Sequence, residues 1–291
     1  IYLLAFVLLV AVLIFGITIR GTTGWFRIAG FSFQPAEFAK LALIVFLGWR
    51  IARQARQFDR WQFVAASGFM TALFAGLIVA QPDLGSAIIL VGIWFGLILL
   101  SGTKKRYIFA LVGTALLVVV ISWFFLLKDY QKDRLLTFMN PGHDPLGAGY
   151  NVTQSIIAVG SGKIFGRGLG FGSQSQLHFL PEAQTDFIFS VIGEELGFIG
   201  VNILLVVFTI LLWRLVYIAK NCTNDFSAYT VLGVALLFLF QMIVNIGAAI
   251  GLLPVTGVTL PFVSYGGSSI LINMLLIGIV ESAAVSGTRA A

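Results

Sequence analysis

Eight apolar runs, at residues 2–19, 38–49, 63–80, 84–101, 107–127, 187–213, 228–252 and 268–285, dominate the chain and decide what it can fold into. A membrane-spanning helix needs about 20 predominantly apolar residues, and every run except the second approaches or exceeds that length. The 38–49 run counts as a span because Pro35 can occupy a first-turn position, with Ala36, Glu37 and Lys40 extending the helix at its polar end. All seven prolines lie at or between run ends, as expected if each run is an uninterrupted helix. The period-2 alternation of a membrane β-barrel is absent. Composition agrees with a lipid solvent: charged residues make up 10% of the chain, against about 25% in a soluble domain. The expectation is an all-α polytopic membrane helical bundle with about eight transmembrane helices. It forms a single integral membrane domain over 1–291, with one long extracytoplasmic loop at 128–186. The single cysteine, Cys222, excludes an intramolecular disulfide. The first run has neither a basic n-region nor an A-x-A cleavage site, which argues against a signal peptide.

The charges supply the orientation. Arg50, Arg53, Arg56, Arg60, Lys104, Lys105, Arg106, Arg214, Lys220 and Arg289 fall on short connections at one side, and only Arg20 and Arg27 on short connections at the other. By the positive-inside rule the first side is cytoplasmic. The N-terminus of this chain then starts inside, and the 128–186 connection, the turn at Asp83 and the segment 253–265 face out. The net charge of +6 is thus largely a topological signal, and nucleic acid is not expected as a partner.

Ionisable groups at a membrane edge are costly and mark function by default. Glu37 and Lys40 are spaced i, i+3 in a first helical turn, where they can pair. Asp83, in Gln81-Pro82-Asp83-Leu84-Gly85-Ser86, is placed to cap the next helix. Val152 to Val159 suits a short helix on or in the membrane, and a flexible glycine-rich loop carrying Lys163 and Arg167 follows. The Gly160-Ser161-Gly162-Lys163-Ile164 stretch is no Walker motif, because Ile157 occupies the first glycine position and Ile164 follows the lysine; no strand precedes it as a dinucleotide turn requires. Thr185 or Asp186 is the natural N-cap of the next span, and Glu194 and Glu195 lie two turns further in, where they require partners or water. His143 and His178 have no cysteine near them, so a transition-metal site is not expected, while an oxygen-ligated Mg²⁺ or Mn²⁺ stays open. The uncharged segment from Leu253 to Ser269, rich in Gly, Pro and Ser, must line a polar cavity or be buried in protein.

Five segments together resemble one family: Gln34 to Lys40, Gln81 to Ser86, Asp144 to Ser155, Leu180 to Phe189, and Pro261 to Ser269. They are similar to the SEDS proteins (shape, elongation, division and sporulation), and Ser175 to Pro181 looks more like the RodA branch than the FtsW branch. The resemblance covers roughly residues 20–285. It implies a peptidoglycan glycosyltransferase of the bacterial cytoplasmic membrane that polymerises lipid II beside a class B penicillin-binding protein, with other elongation-complex membrane proteins as further partners. Family members usually have ten helices, and the resemblance here begins at the third. Many members carry Arg before the Trp of the first outer loop; here Gly24 precedes Trp25, leaving Arg27 as the neighbouring cation.

On this resemblance Asp186 matches the family's catalytic aspartate, as general base or as ligand of a divalent cation. Glu37, Lys40, Asp83, Gln154, Ser264, Gly266 and Gly267 would bind substrate or line the cavity, and Lys40, Lys163 and Arg167 are the cations offered to the pyrophosphate. No organic cofactor is implied. Two rival readings are a lipid II flippase and a non-catalytic scaffold for a transpeptidase. A transporter should show midplane polar residues and broken-helix pairs, whereas here the polar groups gather at the outer edge.

Overall fold

The structure, a computed structural model, describes all residues except 20, 29–30, 55–60, 126–128, 140–146, 178 and 289–291. His143 and His178 therefore lie outside the described residues, as do Arg20, Arg56, Arg60 and Arg289 of the charge pattern. The chain divides into two compact units interleaved in sequence. The first comprises Ile1–Ile108, Leu211–Phe240 and Gly266–Ala291, and the second Phe109–Ile210 and Gln241–Tyr265.

Long helices stand where the apolar runs predicted them: α1 (Tyr2–Phe15), α2 (Pro35–Arg53), α3 (Trp61–Ala80), α4 (Leu84–Leu100) and α5 (Lys105–Phe125). Later in the chain come α9 (Ile188–Lys220), α10 (Asp225–Ala249) and α11 (Gly267–Thr288). Of these, α3, α9, α10 and most of α11 are long and apolar enough to cross a membrane, while α1 and α4 are shorter apolar helices. In α2, Pro35 opens the helix, Glu37 sits in the first turn and Arg50 and Arg53 in the last. Each end thus carries the charge that its helix dipole favours.

In the first unit, helices approach through small residues, as lipid-embedded packing requires. A Cβ on Gly96 of α4 would stand 2.7 Å from Leu236 Cδ1 of α10, and one on Gly233 of α10 2.8 Å from Ile44 Cγ2 of α2. Tyr2 of α1 stacks on Phe74 of α3 with ring centroids 4.2 Å apart and donates a hydrogen bond to Met70 O at 2.7 Å. A small antiparallel sheet follows α1, formed by β1 (Ile17–Ile19), β2 (Thr22–Ile28) and β3 (Phe31–Phe33) in that order. The expected outer loop around Trp25 is therefore a sheet, in which Ile17 pairs with Trp25 and Arg27 with Ser32. Pairing satisfies backbone groups that a bare loop at the membrane edge would leave open.

The second unit holds the long connection, and it is structured. Its described residues include three helices: α6 (Asp129–Met139), α7 (Ala148–Ser161) and the single turn α8 (Ser173–Gln176). A small core of Ala158, Leu180 and Phe187, with Ala183, Val191 and Val255 against it, ties α7 to the 180–187 segment, to α9 and to the chain after α10.

One expectation is overturned in α9. The run is not an uninterrupted helix, because Gly197 sits inside it at φ 66°, ψ −162°, a backbone region that is essentially glycine-only. The break frees helical carbonyls and amides, and the glycine loop after α7 takes them up. Arg167 N donates to Glu194 O and Gly168 N to Glu195 O, both at 3.0 Å, while Phe198 N donates to Lys163 O at 2.9 Å and Ile199 N to Ile164 O at 3.1 Å. The loop expected to be flexible is thus spliced into the helix by four backbone hydrogen bonds. Irregular backbone at membrane depth is tolerated where protein satisfies it in this way.

Candidate active site

Asp186 lies half-buried in the turn 181–187 that leads into α9. The first turn of that helix closes on Phe187 O, which accepts from Ser190 N at 2.9 Å and Val191 N at 3.3 Å, one residue beyond Asp186. The chain at Asp186 is held through three consecutive carbonyls. Tyr265 N donates to Gln184 O at 2.8 Å, Ser264 Oγ to Thr185 O at 2.6 Å, and Asn245 Nδ2 to Asp186 O at 3.0 Å. Asn245 also donates to Val258 O at 2.8 Å, and Leu260 N donates to Ser264 Oγ at 2.8 Å. The Gly/Pro/Ser segment after α10 is therefore a bracket for the Asp186 turn. Gly257, at φ 73°, comes so close that a Cβ there would stand 3.8 Å from Asp186 Oδ2. A carboxylate on a backbone fixed at three successive residues is pre-organised to accept a proton or to contact a cation.

Sequence reasoning found Asp186 and Ser264 but missed Asn245, which is 2% exposed. The signal available was a lone amide in an otherwise apolar run, where a polar group must find a partner. Ser155 and Ser190 were missed as well. Their hydroxyl oxygens are 2.6 Å apart, and Ser155 Oγ donates to Ala249 O at 2.7 Å, fastening α7 to α9 and to the end of α10. Gln154, the predicted site residue beside Ser155, is half-buried on α7.

Of the two acids further into α9, Glu194 is buried and Glu195 half-buried. Glu194 is fully buried and receives the opening of α8: Gln174 N donates to its Oε1 at 2.9 Å and Ser175 N to its Oε2 at 3.2 Å. Arg167 Nη1 donates to Ser173 Oγ at 3.0 Å, and that hydroxyl donates in turn to Glu194 Oε1 at 3.3 Å. Lys163 and Arg167 are exposed on the loop held in this way.

The remaining predicted residues belong to the first unit. Lys40 Nζ donates to Glu37 Oε1 at 2.7 Å, with side chains 2% and 7% exposed. The ammonium offered to a pyrophosphate is thus committed to its neighbour. Breaking a buried pair from one side costs about 3–5 kcal/mol, so Lys40→Ala is expected to lower folded yield and thermal midpoint in detergent before it alters chemistry. Asp83 caps α4, accepting from Ser86 N at 2.9 Å, and also accepts from Gln34 Nε2 at 3.2 Å. Ser268 Oγ accepts from Gln34 N at 3.1 Å and donates to Ser32 O at 2.7 Å. Gly266 and Gly267 open α11, with Gly266 O accepting from Ile270 N at 2.9 Å. Gly24 also finds its reason here, since a Cβ in its place would stand 3.3 Å from the buried Gln81 Oε1.

Burial pushes the Asp83 carboxyl above its ordinary value of 3.8, against the pull of the Ser86 hydrogen bonds and the Lys40 charge. A carboxyl raised in the fold binds its proton more tightly there than in the unfolded chain, so stability falls as pH rises from the ordinary value through the raised one. The thermal midpoint, read from intrinsic Trp fluorescence, is expected to fall over that window, and Asp83→Asn is expected to flatten the dependence.

Among the described residues no group of three or more His, Cys, Asp or Glu side chains is disposed to hold a metal. Asp186 is a single anionic donor, which is sufficient for Mg²⁺ when substrate phosphates and water complete the shell. An apolar groove of about 520 Å³ runs along α11 between Leu271 and Ser282.

Over residues 1–289 the chain matches the FtsW/RodA/SpoVE family, described as cell cycle protein. It is 41% identical to the Escherichia coli K12 protein named peptidoglycan glycosyltransferase MrdB, over 97% of this chain and 76% of MrdB. Stage V sporulation protein E of Bacillus subtilis is 38% identical, over 95% of this chain and 76% of its own length. The Thiomicrospira cyclica protein named probable peptidoglycan glycosyltransferase FtsW is 40% identical, over 96% and 72%. Relatives bearing all three names thus match to a similar degree. Among solved structures, a chain of a peptidoglycan synthase complex, described by its coordination of polymerization and crosslinking, superimposes with a TM-score of 0.81. It is 33% identical, over 98% of this chain and 80% of that one. The rod shape determining protein RodA of Thermus thermophilus follows with a TM-score of 0.71 and 30% identity, over 100% of this chain and 77% of RodA. With a family match over nearly its whole length and several membrane-length apolar helices, the chain is a multi-pass membrane protein of the FtsW/RodA/SpoVE family.

Proposed function

We propose that this protein is a peptidoglycan glycosyltransferase that polymerises lipid II into glycan strands at the outer face of the bacterial cytoplasmic membrane, in the elongation branch of its family. The relatives named peptidoglycan glycosyltransferase support the activity. The observation that carries the site is the Asp186 turn, held through three consecutive carbonyls. In the step proposed, the 4-hydroxyl oxygen of one sugar forms a bond to the anomeric carbon of another. The bond from that carbon to the lipid pyrophosphate breaks, and the hydroxyl proton passes to Asp186. A positioned general base contributes about 10²–10⁴-fold to such a transfer. Lys163 and Arg167 supply positive charge for the departing pyrophosphate; were Asp186 to hold a divalent cation in place of taking the proton, that ion would add to it. The orientation rests on the positive-inside rule, which puts on the cytoplasmic side the ends of α2, closed by Arg50 and Arg53, and of α9, closed by Lys220.

The structural likeness to a synthase complex supports a class B penicillin-binding protein as partner, since a polymer without cross-links is incomplete wall. The test is lipid II polymerisation by purified protein in proteoliposomes, with and without that transpeptidase. Glycan strands are expected from the protein alone, with turnover raised by saturating partner. Transfer of labelled lipid II across the bilayer without polymer would establish the flippase reading instead, and no polymer under either condition would favour the scaffold. The break in α9 is one feature that a transporter would also use, but it is satisfied by the loop rather than open to a pathway.

A further inference from the structure

The loop joining α7 to α8 presents large apolar side chains outward. Phe165 is 79% exposed and Phe171 77%, with Ile164 and Leu169 also more than half exposed. A water-facing loop rarely gathers such side chains without a partner. Two features of the same unit indicate what covers them. The first is position: the loop is bonded to Phe198 and Ile199 of α9, where the helix emerges at its break onto an exposed apolar face. From Phe198 that face continues within the same unit through Ile203 and Val206 to Ile210, all more than half exposed. The loop stands where this face begins, and its apolar side chains extend it. The second is backbone satisfaction, since the amides of Arg167 and Gly168 and the carbonyls of Lys163 and Ile164 are all bonded to α9.

We infer that residues 163–171 form an interfacial membrane anchor, with Phe165, Leu169 and Phe171 immersed at the boundary between acyl chains and headgroups of the leaflet on that side. Lys163 and Arg167, on the same loop, then stand at the level of lipid phosphate groups, as cations flanking immersed apolar side chains do. The anchor sets the height of the Asp186 turn above the bilayer, because α8 and the 180–187 segment follow it directly. It rests on the multi-pass assignment and does not depend on the reaction proposed above.

Spin labels test it in the full chain. In a Cys222→Ser background, single labels are placed at Phe165→Cys, Leu169→Cys and Phe171→Cys, with Ile203→Cys as lipid-facing control and Thr223→Cys as aqueous control. The protein is reconstituted in nanodiscs of phosphatidylglycerol and phosphatidylethanolamine, and collision with oxygen is compared with collision with a water-soluble nickel chelate. The three loop labels are expected to give oxygen-dominated ratios several-fold above the Thr223→Cys control and close to Ile203→Cys. Nickel-dominated collision at these positions overturns the anchor. So does protection from both relaxants, which would mean that protein covers the surface.

Discussion

Replacing Asp186 with alanine is expected to abolish lipid II polymerisation while leaving the protein folded. The backbone bonds that hold this turn run to main-chain carbonyls, which alanine retains, and the side chain is only half-buried. The thermal midpoint should therefore move little. Loss of a general base costs about 10²–10⁴-fold in rate, enough to bring polymer below detection on a gel of labelled glycan. Asp186→Asn keeps the shape and should be as inactive. Asn245→Ala separates position from chemistry: it removes the donor to Asp186 O and Val258 O, so rate should fall and the midpoint with it while the carboxylate remains. A well-folded Asp186→Ala protein that polymerises at the normal rate would remove the central claim.

Gly197 is where a single methyl should do most damage to the fold. At φ 66°, ψ −162° a side chain costs about 1–3 kcal/mol in backbone strain, and here a Cβ would also run into Gly166 N. Relieving that collision means pulling the loop from α9, which exposes the four backbone pairs that join them. Each buried group left unpaired costs about 1–3 kcal/mol. Gly197→Val is accordingly expected to fail to yield monodisperse protein, and Gly197→Ala to unfold at a clearly lower temperature with faster proteolysis in the 162–172 loop. If Gly197→Val proved as stable and protease-resistant as the parent, the splice would not be what holds the loop.

The spans were legible because a long apolar run needs no knowledge of its neighbours, and the positions of α1, α3 to α5 and α9 to α11 follow from that, while α2 needed Pro35 and its polar first turn as well. Local spacing likewise foretold the Glu37–Lys40 pair and the Asp83 cap, whose partners lie three residues away. The resemblance carried by short motifs pointed to Asp186. What depended on the fold is whatever needs a partner far along the chain. The 187–213 run is apolar on both sides of Gly197, so its periodicity conceals a break that exists because residues 163–168 stand ready to take the freed groups. Asn245 reads as an isolated polar residue until Asp186, 59 positions away, comes within 3.0 Å. Glu194 gave a sign of needing a partner but not which one; that it holds the start of α8 is a long-range fact. Run length and local spacing are properties of adjacent residues and survive in a one-dimensional reading, whereas the bracket around Asp186 and the splice at Gly197 are pairings across the chain that only the tertiary structure decided.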